Sequence, residues 1–120
     1  MKEFTLVLGA SLKEVRYSNL VINKLLAKNI KVKAIGFNAG MVNGVTIQTK
    51  MLKDDTIDTI TLYLGAKNQK QYYDYILELN PNRVIFNPGT ENPELYELLT
   101  QANIKFEIAC TLVLLSTNQY

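Results

Sequence analysis

Phe4-Thr5-Leu6-Val7-Leu8-Gly9-Ala10-Ser11 is followed at short range by Arg16-Tyr17-Ser18 and then by apolar residues at helical spacing. The apolar run from Phe4 to Leu8, stopped by Gly9, predicts a buried strand. Leu20, Val21, Leu25 and Leu26 then mark one face of a helix that Ser18 is placed to cap and Asn29 to end. Strand, glycine turn and helix in that order form the first part of a βαβ unit. The stretch decides the fold because the rest of the chain repeats its rhythm.

Outward from it, Lys31 to Ile35 reads as a second strand and Asp58 to Leu64 as a third, in which threonines alternate with Ile60, Leu62 and Leu64. Arg83 to Phe86 and Lys105 to Ala109 give a fourth and a fifth, while Val45-Thr46-Ile47 is too short to place. Lys67 to Leu79 reads as a helix stopped by Asn80-Pro81, with Tyr72, Tyr73, Ile76 and Leu79 on one side. Asn92 caps another, with Pro93 at its first position and Glu94 suiting the dipole; it is expected to bury Leu95, Leu98, Leu99 and Ala102. Thr111 to Leu115 fits strand or helix equally. Right-handed crossovers and short loops then favour a Rossmann-like, three-layer α/β sandwich over residues 1–120: one domain, a five-stranded parallel sheet in the order 3-2-1-4-5 and helices on both faces. Ligands of such sheets sit at the carboxyl ends of the strands, where the order reverses. The expected site lies over the loops after strands one and four.

The composition narrows the chemistry. At 120 residues and 48% hydrophobic the chain supports one modest core. Its longest apolar run, Leu112 to Leu115, is far short of the roughly 20 residues of a membrane span. A single cysteine permits no internal disulfide, and the expected compartment is the cytoplasm. The net charge of +2 is unevenly spread, with no acidic residue between Glu14 and Asp54. Positive charge gathered in the first half points to an anionic small molecule. A nucleic-acid surface is not expected, since the chain is not strongly basic and its tyrosines follow helical spacing. The sequence leaves a homo-oligomer open.

The loop Gly9-Ala10-Ser11 can bring backbone N–H groups against a phosphate, Ser11 and Ser18 add hydroxyls, and Arg16 adds a forked cation. Ser11 stands where a dinucleotide fingerprint has its second glycine, and strand two ends Ile35-Gly36-Phe37-Asn38 with no acid for a ribose. Both count against NAD, whereas Lys33 or Arg16 would suit the ribose phosphate of NADP. The loop Asn87-Pro88-Gly89-Thr90-Glu91-Asn92 faces the first across the switch point. Glu91, its one carboxylate, makes no acid–base pair, and the chain has no histidine. Cys110 reads as a small buried hydrophobe, with a mixed disulfide to a thiol ligand as the alternative.

Leu8-Gly9-Ala10-Ser11, Arg16-Tyr17-Ser18, Thr61-Leu62-Tyr63-Leu64, the run from Arg83 to Glu94 and the closing Ala109-Cys110-Thr111-Leu112-Val113-Leu114-Leu115 together resemble the CoA-binding protein family, stand-alone relatives of the CoA-binding domain of succinyl-CoA synthetase. The resemblance spans nearly the whole chain. It implies coenzyme A or a short acyl-CoA held without catalysis. Gly9, Ala10 and Ser11 would meet the pyrophosphate, Arg16, Tyr17 and Ser18 would flank it, Gly36, Phe37 and Asn38 would border the adenosine, and Asn87, Pro88 and Gly89 the pantetheine arm. An NADP-type oxidoreductase-like domain and a ligand-free interaction module are the alternatives.

Overall fold

The computed structural model describes residues 1–120. In chain order the elements are β1 (Phe4–Ala10), α1 (Tyr17–Ala27), β2 (Lys31–Gly36), β3 (Gly40–Val42), β4 (Val45–Gln48), β5 (Ile57–Leu62), α2 (Ala66–Gln69), a 3₁₀ turn (Lys70–Tyr72), α3 (Tyr73–Leu79), β6 (Arg83–Phe86), α4 (Pro93–Gln101), β7 (Lys105–Ile108) and α5 (Thr111–Ser116). The α/β sandwich is as expected, but the sheet has seven strands rather than five, in the order β3-β4-β2-β1-β5-β6-β7. The expected order 3-2-1-4-5 placed Asp58–Leu64 beside strand two. In the structure that strand, β5, pairs with β1, and the neighbour of β2 is the short Val45–Gln48.

The cause is a connection too short for a helix. β2 and β4 are parallel neighbours, yet only Phe37–Gly44 separate them, fewer than the dozen or so residues of a helical crossover. The chain instead passes to the edge, descends as β3 and turns back through Asn43-Gly44, both at positive φ (46° and 86°), the geometry of a type I′ hairpin. β3 is therefore antiparallel to β4, while the β4-β2-β1-β5-β6-β7 pairings are parallel.

Residue alternation along β1 divides the core. Leu6 and Leu8 join Ile60, Leu62, Val84 and Phe86 beneath α3 and α4, whereas Val7 joins Val32, Ala34 and Ile47 beneath α1 and α5. The buried face of α1 is Val21, Ile22 and Leu25; Leu20 is exposed, as is Ala102 beyond α4. Asn92 caps α4 as expected, its side chain accepting from Leu95 N, with Pro93 at the first position. Ser18 does not cap α1: Arg16 takes that position and Ser18 is buried within the first turn. The expected helix from Lys67 to Leu79 is divided by the 3₁₀ turn. Tyr72 at the end of that turn and Gln69 just before it are both buried. Thr111–Ser116 resolves as helix. No helix is long and apolar enough to cross a membrane.

In the hollow beside β2 and β4, Asp54 bonds Lys33 Nζ at 2.5 Å and accepts from Thr56 N and Oγ1. Burial raises the Asp54 carboxyl, but the bonds from Lys33 and Thr56 outweigh it and hold the group below its ordinary 3.8. A depressed carboxyl stabilises the fold above its unfolded pKa and loses that contribution as pH falls through the folded value. Asp54→Asn is therefore expected to cost about 0.5–1 kcal/mol at neutral pH, the pair being partly exposed. In urea unfolding the gap to wild type should close as pH falls through the lowered folded value of Asp54; a gap that persists once the carboxyl is protonated would assign the effect to packing instead of charge.

Candidate functional site

The carboxyl end of β1 is shaped by two glycines. Gly9 has φ +98°, and a Cβ there would fall 2.9 Å from the backbone carbonyl carbon of Tyr63 and 3.0 Å from Leu64 Cγ. Its register with β2 shifts between Leu8 and Ala10, so the strand bulges as it leaves the sheet. Gly36 backs this bulge: a Cβ on it would lie 2.3 Å from the Ala10 carbonyl oxygen. The loop after β1 thus rests on bare backbone from both neighbouring strands.

From there the chain runs into α1. Ser11 Oγ accepts from Lys13 N at 3.1 Å, and the Ser11 carbonyl accepts from Asn19 Nδ2 at 3.0 Å. Asn19 is buried and ties the first turn of α1 back to the loop. The Arg16 carbonyl accepts from Asn19 N and Leu20 N, while the N–H groups of Tyr17 and Ser18 open the helix, where no intrahelical acceptor exists. The positive end of the α1 dipole sits there as well.

The loops after β5 and β6 make the facing wall. Asn87 is buried and donates to Thr61 Oγ1 (2.7 Å) and the Leu62 carbonyl (2.8 Å), and its Oδ1 accepts from Thr111 N (2.8 Å). Thr90 Oγ1 donates back to the Asn87 carbonyl at 2.7 Å. Glu91 Oε1 accepts from Gly89 N at 2.9 Å, so its carboxylate stabilises its own loop. The Tyr63 hydroxyl is buried without a hydrogen-bond partner beside the Thr61 and Thr111 hydroxyls, which bond to each other at 2.8 Å. Burial pushes this phenol up to about 12, and Thr61 and Thr111 offset only part of that. It stays protonated at physiological pH.

Between these walls lies a cavity of about 500 Å³. It brings together Gly9, Ala10, Ser11, Arg16, Tyr17, Ser18, Phe37, Asn38, Pro88 and Gly89, all singled out from the sequence. Gly36 and Asn87 stand behind the lining and act through backbone contact and hydrogen bonds. Lys13, Tyr63, Leu64, Gly65, Asn68 and Thr90 also line it and were not among the expected site residues. Lys13 carried a legible signal, being a second cation in the first loop. Cys110 is outside the lining, and Lys33 faces another hollow, paired with Asp54.

The lining contains Lys13 and Arg16 and no carboxylate. None of the molecule's ion pairs (Lys31–Glu3, Lys33–Asp54 and Arg83–Glu107) involves either cation. Two unpaired cations, a helix start and a glycine-shaped loop are features that suit a phosphorylated ligand. The lining offers no acid–base pair.

Comparison with known proteins agrees with this chemistry. The family described as "CoA binding domain" matches residues 4–116. An uncharacterised protein of known crystal structure is 42% identical, with a TM-score of 0.95 over 100% of this chain and 99% of the other. A Thermus thermophilus protein is 20% identical, with a TM-score of 0.86 over 99% of this chain and 91% of its own. A dinucleotide forming acetyl-coenzyme A synthetase from Ca. Korarchaeum cryptofilum, solved with phosphate and ADP, is 19% identical, with a TM-score of 0.65; the match covers 83% of this chain and 23% of the synthetase. At these lower identities the likeness is one of fold. No curated protein matches the chain.

The contact behind the first loop is open to direct test. Gly36→Ala is expected to lower stability in urea by about 1–3 kcal/mol, since backbone must move to admit the methyl group. A loss under about 0.5 kcal/mol, the scatter of ordinary surface changes, would show that the two strands are not in firm contact.

Proposed function

The chain belongs to the CoA binding domain family, and on that premise we propose that it holds coenzyme A or a short acyl-CoA in the strand-end cavity without carrying out a reaction on it. The observation that carries this is the acid-free lining with Lys13 and Arg16 free of ion pairs beside the start of α1. The residues fit such a ligand. Gly9 and Gly36 let the strand ends pack where a Cβ would clash with Tyr63 and Ala10 backbone, which sets the path of the loop whose backbone N–H groups at Gly9, Ala10 and Ser11 would meet the pyrophosphate. Arg16 would pair with phosphate, with Ser18 and the N–H groups of Tyr17 and Ser18 alongside. Phe37 and Asn38 would border the adenosine, and Pro88 and Gly89 the pantetheine arm. Gly36 and Asn87 would support these from behind.

What the cavity supplies supports a holding role over a catalytic one. Glu91 is committed to Gly89, Tyr63 stays protonated, and no histidine exists to act as a base. The NADP alternative is weakened because Lys33, one of its two candidate cations, pairs with Asp54 away from the cavity.

Native mass spectrometry of the purified protein, followed by thermal shifts with CoA, NADP and NAD, tests the proposal. Ligand at about 100 times its Kd stabilises the native state by about 2.7 kcal/mol, enough to raise Tm by several degrees. A shift with CoA alone is expected. A shift with NADP and none with CoA would overturn the reading, and silence with all three would favour an interaction module. Arg16→Ala should weaken CoA binding about tenfold at low salt and flatten its salt dependence. Unchanged affinity at low salt would remove Arg16 from the site.

A further inference from the structure

Gln69 is wholly buried although nothing in its local sequence marks it as special. It is the last residue of α2, the short helix between β5 and the 3₁₀ turn. Its Nε2 donates to the Leu64 carbonyl at 2.7 Å and to the Thr90 carbonyl at 2.8 Å. Leu64 belongs to the loop after β5 and Thr90 to the loop after β6, and both residues line the cavity. One amide group therefore bridges two segments that share no backbone hydrogen bond across this gap. The Gln69 Oε1 is itself fixed, accepting from Asn92 Nδ2 at 2.9 Å. Asn92 also donates to Tyr73 Oη at 2.8 Å, and Tyr73 donates to Glu94 at 2.9 Å. Both N–H groups and the oxygen of the amide thus have partners, so Gln69 has one orientation and sets one separation between the loops.

We infer that Gln69 is a positioning residue for the ligand: it fixes the spacing between Leu64 and Thr90, and through it the wall that meets the part of the ligand beyond the phosphates. The inference rests on the CoA reading above. Gln69 does not line the cavity, so its influence passes through the two carbonyls it holds. The phosphate loop is tied down separately, by Asn19 on Ser11 and by Gly36 against Ala10. Loss of the Gln69 bridge should therefore be felt at one end of the ligand and not at the other. A residue needed only for general stability would show no such polarity.

The test compares two probes, CoA and adenosine 3′,5′-bisphosphate, which carries the adenosine, the 3′-phosphate and the first phosphate of the pyrophosphate but no pantetheine arm. Gln69→Met keeps the volume and removes all three bonds. It is expected to weaken CoA binding about tenfold by calorimetry, the scale of one or two lost hydrogen bonds, while affinity for the bisphosphate stays within about twofold of wild type. Asn92→Ser is a milder companion that keeps a capping hydroxyl on α4 but releases Gln69 Oε1; it should show the same split at smaller size. If Gln69→Met does not fold, Asn92→Ser decides the matter by itself. An equal loss for both probes, or no loss for CoA, overturns the inference. Wild-type protein that binds the bisphosphate as tightly as CoA also overturns it, because the wall then contributes nothing. Wild-type protein that binds neither removes the CoA reading and this inference with it.

Discussion

The loops at the carboxyl end of the sheet depend on a contact between bare backbones. Gly36 leaves no room for a side chain against the Ala10 carbonyl, and Gly9 leaves none against Tyr63. Because the main chains themselves touch, the exit of the chain from β1 has one path. That path sets where Ser11 lies, where Asn19 can reach it and where the first turn of α1 begins. A side chain between those strands would act as a flexible spacer. Backbone in contact with backbone has far less freedom to adjust.

The cavity walls solve opposite electrostatic problems. On the α1 side the charges are left free, because Lys13 and Arg16 are solvated and cost little to keep unpaired until an anion arrives. On the far side the polar groups are buried, where an unpaired charge would be expensive. That side is built from neutral Asn87, Gln69, Asn92 and the threonines, whose donors bond backbone carbonyls and one another. Neutral amides brace loops in the interior without the desolvation cost of ions. In the chain of bonds that runs out from Gln69 the charged member is Glu94, exposed at its outer end.

The strands were legible wherever an apolar run met a glycine, an asparagine or a proline. Phe4–Leu8, Lys31–Ile35 and Arg83–Phe86 all lie in strands of the sheet, and Asn92-Pro93 starts a helix. The strand order was not legible, because it turned on Val45–Gln48, whose brevity hides its pairing with β2. The signal that was present, Asn43-Gly44, is a hairpin turn between two very short strands. Within the candidate site, the glycines, serines and Arg16 could be read because phosphate chemistry restricts the residue types that suit it. Gln69, Asn19 and the bracing role of Asn87 could not. An amide side chain is polar in any composition scale, and its burial depends on partners such as the Thr90 carbonyl that lie far away in sequence. Leu20 and Ala102 show the converse: helical spacing placed them on an apolar face, and the packing left them exposed.

The hairpin that replaces the missing crossover also bears on how the sheet is assembled. β3 and β4 are paired strands joined by two residues, Asn43-Gly44, whereas β1 reaches β2 and β5 only across long stretches of chain. Loop-closure entropy grows with the length enclosed, so the edge pairing carries the smallest entropic cost of any in the sheet. Hairpins close in about 1–10 μs, while parallel pairings wait for their crossovers to be ordered. The edge of the sheet is thus its most local piece, and the glycine contact at the centre is among the pairings that a folding chain must reach for from afar.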